Sequence, residues 1–410
     1  MELISLHRRV VALDVHQAQI SACGLIEGED GVVIERRSFE TFKRGLRALV
    51  DWCLKLRPEV VVMESTGIYW KSPHAWLERA GLNCLVVNAH HVKNVPGRKT
   101  DIADPEWLAM LARAGLLRPS FIPPEKLRRL RLVSRQRQKV VGTLAAEKNR
   151  LGKVLADAGV RLGVVVSDIH GKSARAMIAA LIAGATPAQA LKYADRRLKA
   201  PREEIAAALE GEISAEHSFV LQQILGHIAF LEASIAKFDA HLLAHLDSPE
   251  EKNALALLQT VPGIDLIGAA MLLVEIGTNM ALFAGSDHLA SWAGMCPGNN
   301  RSAGKRKNER QRKANSYVRR LLCEFVQAAR KTPCVFQAKH KAVAIRRGFK
   351  RAIMACAHKM LRVIWAMLLR KQPYRDSTVD FEALSVRRNA PRWIRALKRF
   401  GYLRASAATR

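Results

Sequence analysis

Residues 10–15, V-V-A-L-D-V, form an apolar run that ends around one acid, Asp14. A short run of this kind, rich in β-branched side chains, reads as a buried strand. A second run, V-V-V-M-E at 60–64, ends on Glu64 in the same way. Between them lie I-S-A-C-G-L-I (20–26) and V-V-I-E-R-R-S-F (32–39), separated by E-G-E-D-G, a hairpin signal. Residues 41–57 then place Phe42, Leu46, Leu49, Val50, Cys53 and Leu54 at helical spacing. A helix near 70–80, a strand C-L-V-V-N (84–88) and a helix over about 104–115 complete the order βββ-α-β-α-β-α. Hairpins followed by crossover helices describe a mixed sheet with helices on its faces.

In such a sheet the ends of neighbouring strands meet, so Asp14 and Glu64 are expected side by side. R-K-T-D-I-A-D (98–104) adds Asp101 and Asp104. Several carboxylates in one place do not stay ionised without a cation between them. Magnesium suits hard oxygen donors and keeps waters that phosphate oxygens replace; manganese is the alternative ion. Pro105 restricts the backbone before it, so Asp104 also reads as a helix N-cap with Asp101 in the loop ahead. Each acid taken singly also reads as a solvated strand end.

The charge points to the partner. The 410 residues carry a formal charge of +29, which implies a polyanion, nucleic acid before a membrane surface. No uninterrupted apolar run approaches the roughly 20 residues of a membrane span, and M-E-L-I-S-L-H-R-R lacks a secretory core. A cytoplasmic, nucleoid-associated protein is expected, with no membrane partner. Seven scattered cysteines, none in a C-x-x-C pair, read as reduced, packed thiols.

Residues 125–153 read as a basic helix with an apolar stripe through Leu127, Leu130, Val133, Val140 and Leu144. Its Arg128, Arg131 and Arg135 are candidate nucleic-acid contacts, as is Lys99 beside the acids. From 203 to 252 ten acids face only Lys237 and Lys252, and Leu221, Ile224, Ile228, Leu231 and Ile235 recur at nearly heptad spacing. That helix holds a dimer together or spans two domains. His241 and His245 are four apart without the glutamate of a zinc motif, so no zinc is expected. V-P-G-I (261–264) joins two helices like a helix-hairpin-helix, whose turn amides bind phosphate. Asp265 stands where a second glycine is common, which leaves a purely structural helix pair equally open.

Further on, N-N-R-S-A-G-K-R-K (299–307) sets Ser302 among cations, with nine Lys or Arg and one acid between Arg301 and Arg320. A serine hydroxyl becomes a nucleophile only beside a base, a metal or cations; in a loop it is also an ordinary turn former. Arg301, Lys305, Arg306, Lys307 and Arg310 are candidate contacts to the nucleic-acid backbone. Residues 317–370 read as helical. The last stretch, 387–410, has eight Lys or Arg and no acid, a partly disordered basic tail.

Five pieces, A-L-D-V-H (12–16), M-E-S-T-G-I-Y-W (63–70), V-K-N-V-P-G-R-K-T-D-I-A-D (92–104), V-P-G-I and W-A-G-M-C-P-G-N-N-R-S-A-G-K-R-K (292–307), together resemble the IS one-ten family of DEDD-type insertion-sequence transposases, IS eleven-eleven branch. The resemblance spans about residues 8–370. It implies an α/β plus all-α chain: a RuvC-like domain of ribonuclease-H fold (1–124), a helical linker or coiled coil (125–252), a transposase domain (253–372) and the basic tail (373–410). It implies metal binding by Asp14, Glu64, Asp101 and Asp104, and a catalytic serine at Ser302 that links covalently to DNA. It further implies donor and target duplex DNA, a non-coding bridge or seeker RNA as guide, and a homo-oligomer, a dimer of dimers. Pro105 and Arg301 depart from the family's usual residues. Two rival readings are a metal-dependent junction endonuclease that hydrolyses with water, and a non-enzymatic nucleic-acid-binding protein.

Overall fold

The computed structural model describes residues 5–29, 31–65, 67–93, 95, 104–296, 300–302, 305–308, 314–377, 379 and 381–403. The chain divides into two compact units, Met1–Glu125 and Lys126–Arg410.

The first unit is built on five strands, β1 (Arg9–Val15), β2 (Gln19–Gly28), β3 (Gly31–Glu40), β4 (Val60–Glu64) and β5 (Cys84–Val87), in the order β3-β2-β1-β4-β5. β1, β2 and β3 pair antiparallel through hairpins, whereas β4 and β5 add in parallel. The parallel additions need crossovers. Helices α1 (Lys43–Leu56) and α2 (Lys71–Arg79) supply them, and α3 (Ala89–Lys93) and α4 (Asp104–Arg113) follow β5. The expected mixed sheet is therefore observed, with one short extra helix, α3.

Side chains alternate faces along a strand, which divides the core in two. One face packs Val11, Leu13, Val61 and Met63 against Leu46, Leu49 and Trp52 of α1. The other packs Val10, Ala12, Cys23, Leu25, Val60 and Val62 against Trp107, Leu108 and Leu111 of α4. Pro105 lies in the first turn of α4, where its missing N–H removes no helical bond.

Past α5 (Glu125–Asp157), the second unit runs through α6 (Leu162–Val165), α7 (Lys172–Ile182), α8 (Pro187–Ala190), α9 (Arg202–Leu209), α10 (Ala215–His245), α11 (Pro249–Gln259), α12 (Leu266–Ile276) and α13 (Ser286–Trp292). A hairpin of β6 (Asn300–Ser302) and β7 (Lys305–Asn308) precedes α14 (Ser316–Ala329), α15 (Val335–Arg347), α16 (Phe349–Arg370) and α17 (Phe381–Arg399). The end of α5 and the start of α10 enclose α7 and α9 around Leu155, Met177, Ile178, Ile205 and Ile228. Farther along the chain, α12 is buried on every side from Gly268 to Ile276 and packs on α14.

Three features bear on the expectations above. The tail expected to be partly disordered contains the 19-residue α17, with Pro391 inside it. Two helices, Ala215–His245 and Phe349–Arg370, are by length and composition apolar enough to cross a membrane, although neither is an uninterrupted apolar run. The second buries Ile353, Cys356, Met360, Leu361 and Ile364 within its unit, as a core helix does. Third, the V-P-G-I turn faces α14. Gly263 has φ of +87°, and a Cβ there would stand 2.3 Å from the Phe325 carbonyl oxygen and 2.6 Å from the Ala329 nitrogen. A Cβ on Gly268 would meet the Phe325 ring at 2.5 Å. This pair of helices is a packing unit whose glycines admit α14.

Gly263→Ala therefore combines left-handed strain with a backbone clash, and is expected to lower stability by more than about 1 kcal/mol. Gly184→Ala, at φ of +86° with nothing within 4 Å, isolates the strain alone. Denaturant unfolding should show a clearly larger loss for Gly263→Ala; equal losses would contradict the close-approach account.

Candidate active site

Four strands contribute to one row at the carboxyl ends of β1 and β4. Leu13 pairs with Met63 across the parallel junction, so Asp14 and Glu64 are the next residues on adjacent strands. Both share the face of Val10, Ala12, Val60 and Val62, the face that α4 covers. Across the antiparallel pairs, Asp14 faces Ser21 and Ser21 faces Ser38. The row thus runs Glu64, Asp14, Ser21, Ser38. The first turn of α4 adds Asp104 and Glu106.

A cavity of about 420 Å³ lies here, lined by Asp14, Ser21, Ser38, Asp104, Glu106 and Arg36, among others. The structure thus brings Asp14 and Asp104 to one cavity and sets Glu64 beside Asp14 in the row. Asp101 and Lys99 lie outside the described residues, as do Gly304 and Arg310. His16 Nε2 lies 3.0 Å from Asp14 Oδ2, and the Asp14 side chain is 26% exposed. A ring at that distance orients the carboxylate, as outer partners of metal ligands do.

The donor chemistry suits a hard cation. Row and helix turn offer carboxylate and hydroxyl oxygens. The one thiol that lines the cavity, Cys23, is pushed up to about 11, first by burial and then by the Glu106 charge. It stays protonated at neutral pH and is not a soft ligand. Among the described residues no group of three His, Cys, Asp or Glu is drawn together tightly enough to hold an ion. Magnesium needs no such cage, since one or two carboxylates, substrate phosphates and water suffice.

Sequence reasoning missed Ser21, Ser38, Arg36 and Glu106. Arg36 of β3 faces Cys23 of β2. It reaches Glu106 with Nη2 at 2.6 Å and Nε at 3.1 Å. The signal was the hairpin turn, whose Gly28–Gly31 pairing sets which residues of β2 and β3 oppose each other.

Ser302 ends β6 and pairs with Lys305, while Arg301 pairs with Arg306 and Lys307 lies within β7. The serine expected in a loop thus belongs to a hairpin strand.

For α5 the geometry corrects the expected role of Arg131 and Arg135. Glu275 of α12 is fully buried. Arg135 forks onto it at 2.7 and 2.9 Å, Arg131 approaches at 3.2 Å, and Asn315 Nδ2 donates at 2.8 Å. Arg135 also stacks over Tyr317, 4.5 Å from the ring centroid. These guanidiniums face a buried carboxylate rather than a polyanion. Their neighbours follow suit: Arg137 forks onto Asp239, Lys126 meets Asp247 and Glu251, and Lys148 meets Glu232. Arg137 and Lys148 of α5 meet Asp239 and Glu232 of α10 in reverse order, so the two helices run antiparallel, and Lys126 is answered just beyond α10. Arg128 also makes an interaction within the protein. A cavity of about 460 Å³ beside α12 and α14 is lined by Arg137, Asp265 and Glu324. All three serve structure there, through Asp239, the α12 cap and Arg320.

Two family models match the chain: the IS110 transposase DEDD model over residues 11–159, and the model described as "Transposase IS116/IS110/IS902 family" over 255–341. Together they span more than half of it. The chain is 23% identical to a probable family 20 transposase of Pseudomonas aeruginosa, over 83% of this chain and 94% of that protein. It is 27% identical to the insertion element IS900 uncharacterized 42 kDa protein of Mycobacterium paratuberculosis, over 75% and 82%. It is also similar to the Thermus thermophilus RuvC structure, over 27% of this chain and 99% of that one, at 15% identity and a TM-score of 0.22. At that score the fold rests on the strand order above.

Burial alone would raise the Glu275 carboxyl, but the hydrogen bond from Arg135 and the charges of Arg131 and Arg135 hold it below the usual range. Its stabilising effect is therefore present above the ordinary carboxylate pKa and lost as pH falls through the depressed folded value. Glu275→Gln should remove that acid dependence and lower stability by about 2–3 kcal/mol at neutral pH, because two half-buried arginines lose their anion. Denaturant midpoints across pH check this; a neutral substitution would contradict the keystone role.

Proposed function

The chain belongs to the IS110 family of transposases, and on that premise we propose that it cuts and rejoins the DNA strands of an insertion sequence. The observation that carries the reading is the row Glu64–Asp14 beneath the Asp104 turn of α4. We read the first unit as RuvC-like, with Asp14, Glu64, Asp101 and Asp104 as holders of magnesium or manganese. When bound, such an ion polarises a phosphate and offsets its charge.

The chain's own residues do the rest. His16 orients Asp14. The Ser302 hydroxyl attacks the scissile phosphorus; an Oγ–P bond forms, one strand end leaves and takes the proton, and the other end stays bound as a phosphoester. The hydroxyl of a second strand reverses the step, so phosphoester bonds are conserved and no nucleotide triphosphate is consumed. Arg301, Lys305, Arg306, Lys307 and Arg310 surround the serine in sequence and offer charge to the phosphate. In the proposed layout, residues 1–124 form the metal domain, 125–252 the helical linker, 253–372 the serine domain and 373–410 the tail. A non-coding RNA selects donor and target duplexes by base pairing, and the assembly is a dimer of dimers in which the acids of one protomer act with the serine of another. Work on chromosomal DNA belongs in the cytoplasm with the nucleoid.

Denaturing gels of the wild-type protein with its DNA, and of protein whose co-purified RNA has been sequenced and supplied, test the chemistry. A covalent protein–DNA adduct is expected, absent from Ser302→Ala and Asp14→Ala and from wild type in EDTA, with duplex binding retained by Ser302→Ala. Cleavage without any adduct would favour the hydrolytic nuclease, and an adduct in Ser302→Ala would remove the serine from its role.

A further inference from the structure

The acid cavity has a feature that holding a cation does not require. Of the two arginines that line it, Arg37 is turned to Glu35 at 2.9 Å and to the Trp52 ring. Arg36 instead shares the face of Cys23 and Ala12, one row behind Asp14, Ser21 and Ser38. Its two bonds to Glu106 both end on Oε2, and its side chain is 60% exposed against 16% for Glu106. A guanidinium has five N–H donors in a planar fork. One carboxylate oxygen occupies one edge of that fork, and the rest is presented to the cavity mouth. Glu106 is itself set in the first turn of α4, where the helix favours negative charge.

A nucleic-acid strand entering this cavity meets at least three acids, Asp14, Asp104 and Glu106. A cation bound among them answers the charge of one phosphate, and the phosphate next along the strand remains unanswered. We propose that Arg36, aimed by Glu106, is the anchor for that neighbouring phosphate, with the Ser21 and Ser38 hydroxyls as the floor between the two. Arg36 is then a binding residue of the cavity, and Glu106 is its positioning residue. This inference rests on the strand-processing reading above.

The test uses the full chain and a short DNA duplex in calcium, which fills oxygen sites. Binding is measured as a function of salt for wild type, Arg36→Ala, Arg36→Lys and Glu106→Gln, with the melting temperature of each. An arginine that contacts phosphate adds about one unit to the slope of log affinity against log salt, and its loss weakens binding alike on all sequences. Arg36→Ala should bind about tenfold more weakly and lose roughly one unit of slope. Arg36→Lys should keep the slope. Glu106→Gln keeps an amide oxygen that still accepts from Arg36 and aims it, and removes one negative charge from the cavity, so it should keep the slope and bind as tightly as wild type or tighter, although it loses the ion pair and melts lower than wild type. A slope unchanged in Arg36→Ala overturns the anchor, and so does an equal slope loss in Glu106→Gln, which marks the pair as a tie between β3 and α4 only. Wild type that binds no duplex contradicts the underlying reading instead, so the two failures are told apart.

Discussion

Alternation along β1 and β4 is the constraint on which the first unit depends. The parallel register that stacks Val10 on Val60 and Ala12 on Val62 leaves no choice for the next residues of the same face. Asp14 and Glu64 must follow onto the side covered by α4. Two carboxylates at the strand spacing of roughly 5 Å repel by roughly 3 kcal/mol at an effective dielectric of 20. Burying an aliphatic or aromatic side chain returns about 1.5–3 kcal/mol. Val10, Val60, Val62, Trp107, Leu108 and Leu111 are all buried on this face. Packing therefore wins, and holds the acids together whether or not a cation answers them.

A second constraint, of opposite kind, organises the helical unit. There the charges neutralise one another inside the protein. Glu275 of α12 gathers Arg131 and Arg135 from α5 and Asn315 from the cap of α14. Burial pushes the Arg131 guanidinium down to about 10, which still leaves it charged at neutral pH. Asn315 also caps α14, so the same buried carboxylate holds the start of that helix. The overall +29 is thus unevenly available. On α5, Arg131 and Arg135 answer Glu275 of α12, and Arg137 and Lys148 answer Asp239 and Glu232 of α10.

Local pattern made much of this legible. The sequence of elements in the first unit, the β2–β3 hairpin, the crossover helices, the long α10 and the helix pair around V-P-G-I all follow from spacing and turn chemistry. What sequence concealed was long-range. Nothing near Arg135 announces a partner 140 positions away, so a neutralised helix looked like a nucleic-acid surface. Of the two readings of V-P-G-I, Gly263 favours the structural pair, because its missing Cβ admits α14. Arg36 went unnoticed because its meaning depends on register: in isolation E-R-R-S is only a charged edge strand, and the pairing to Cys23 turns one arginine inward. Ser302 was singled out by its basic neighbours and by resemblance, since one hydroxyl has no periodicity to betray it.

We infer that the strand-end row of the first unit is a divalent-cation site. Anomalous diffraction from crystals of the full chain grown in manganese tests it most directly. A peak is expected at the carboxyl ends of β1 and β4, bound by Asp14 and Asp104 with Glu64 alongside. A cavity that stays dark while manganese occupies other acids of the chain would contradict it.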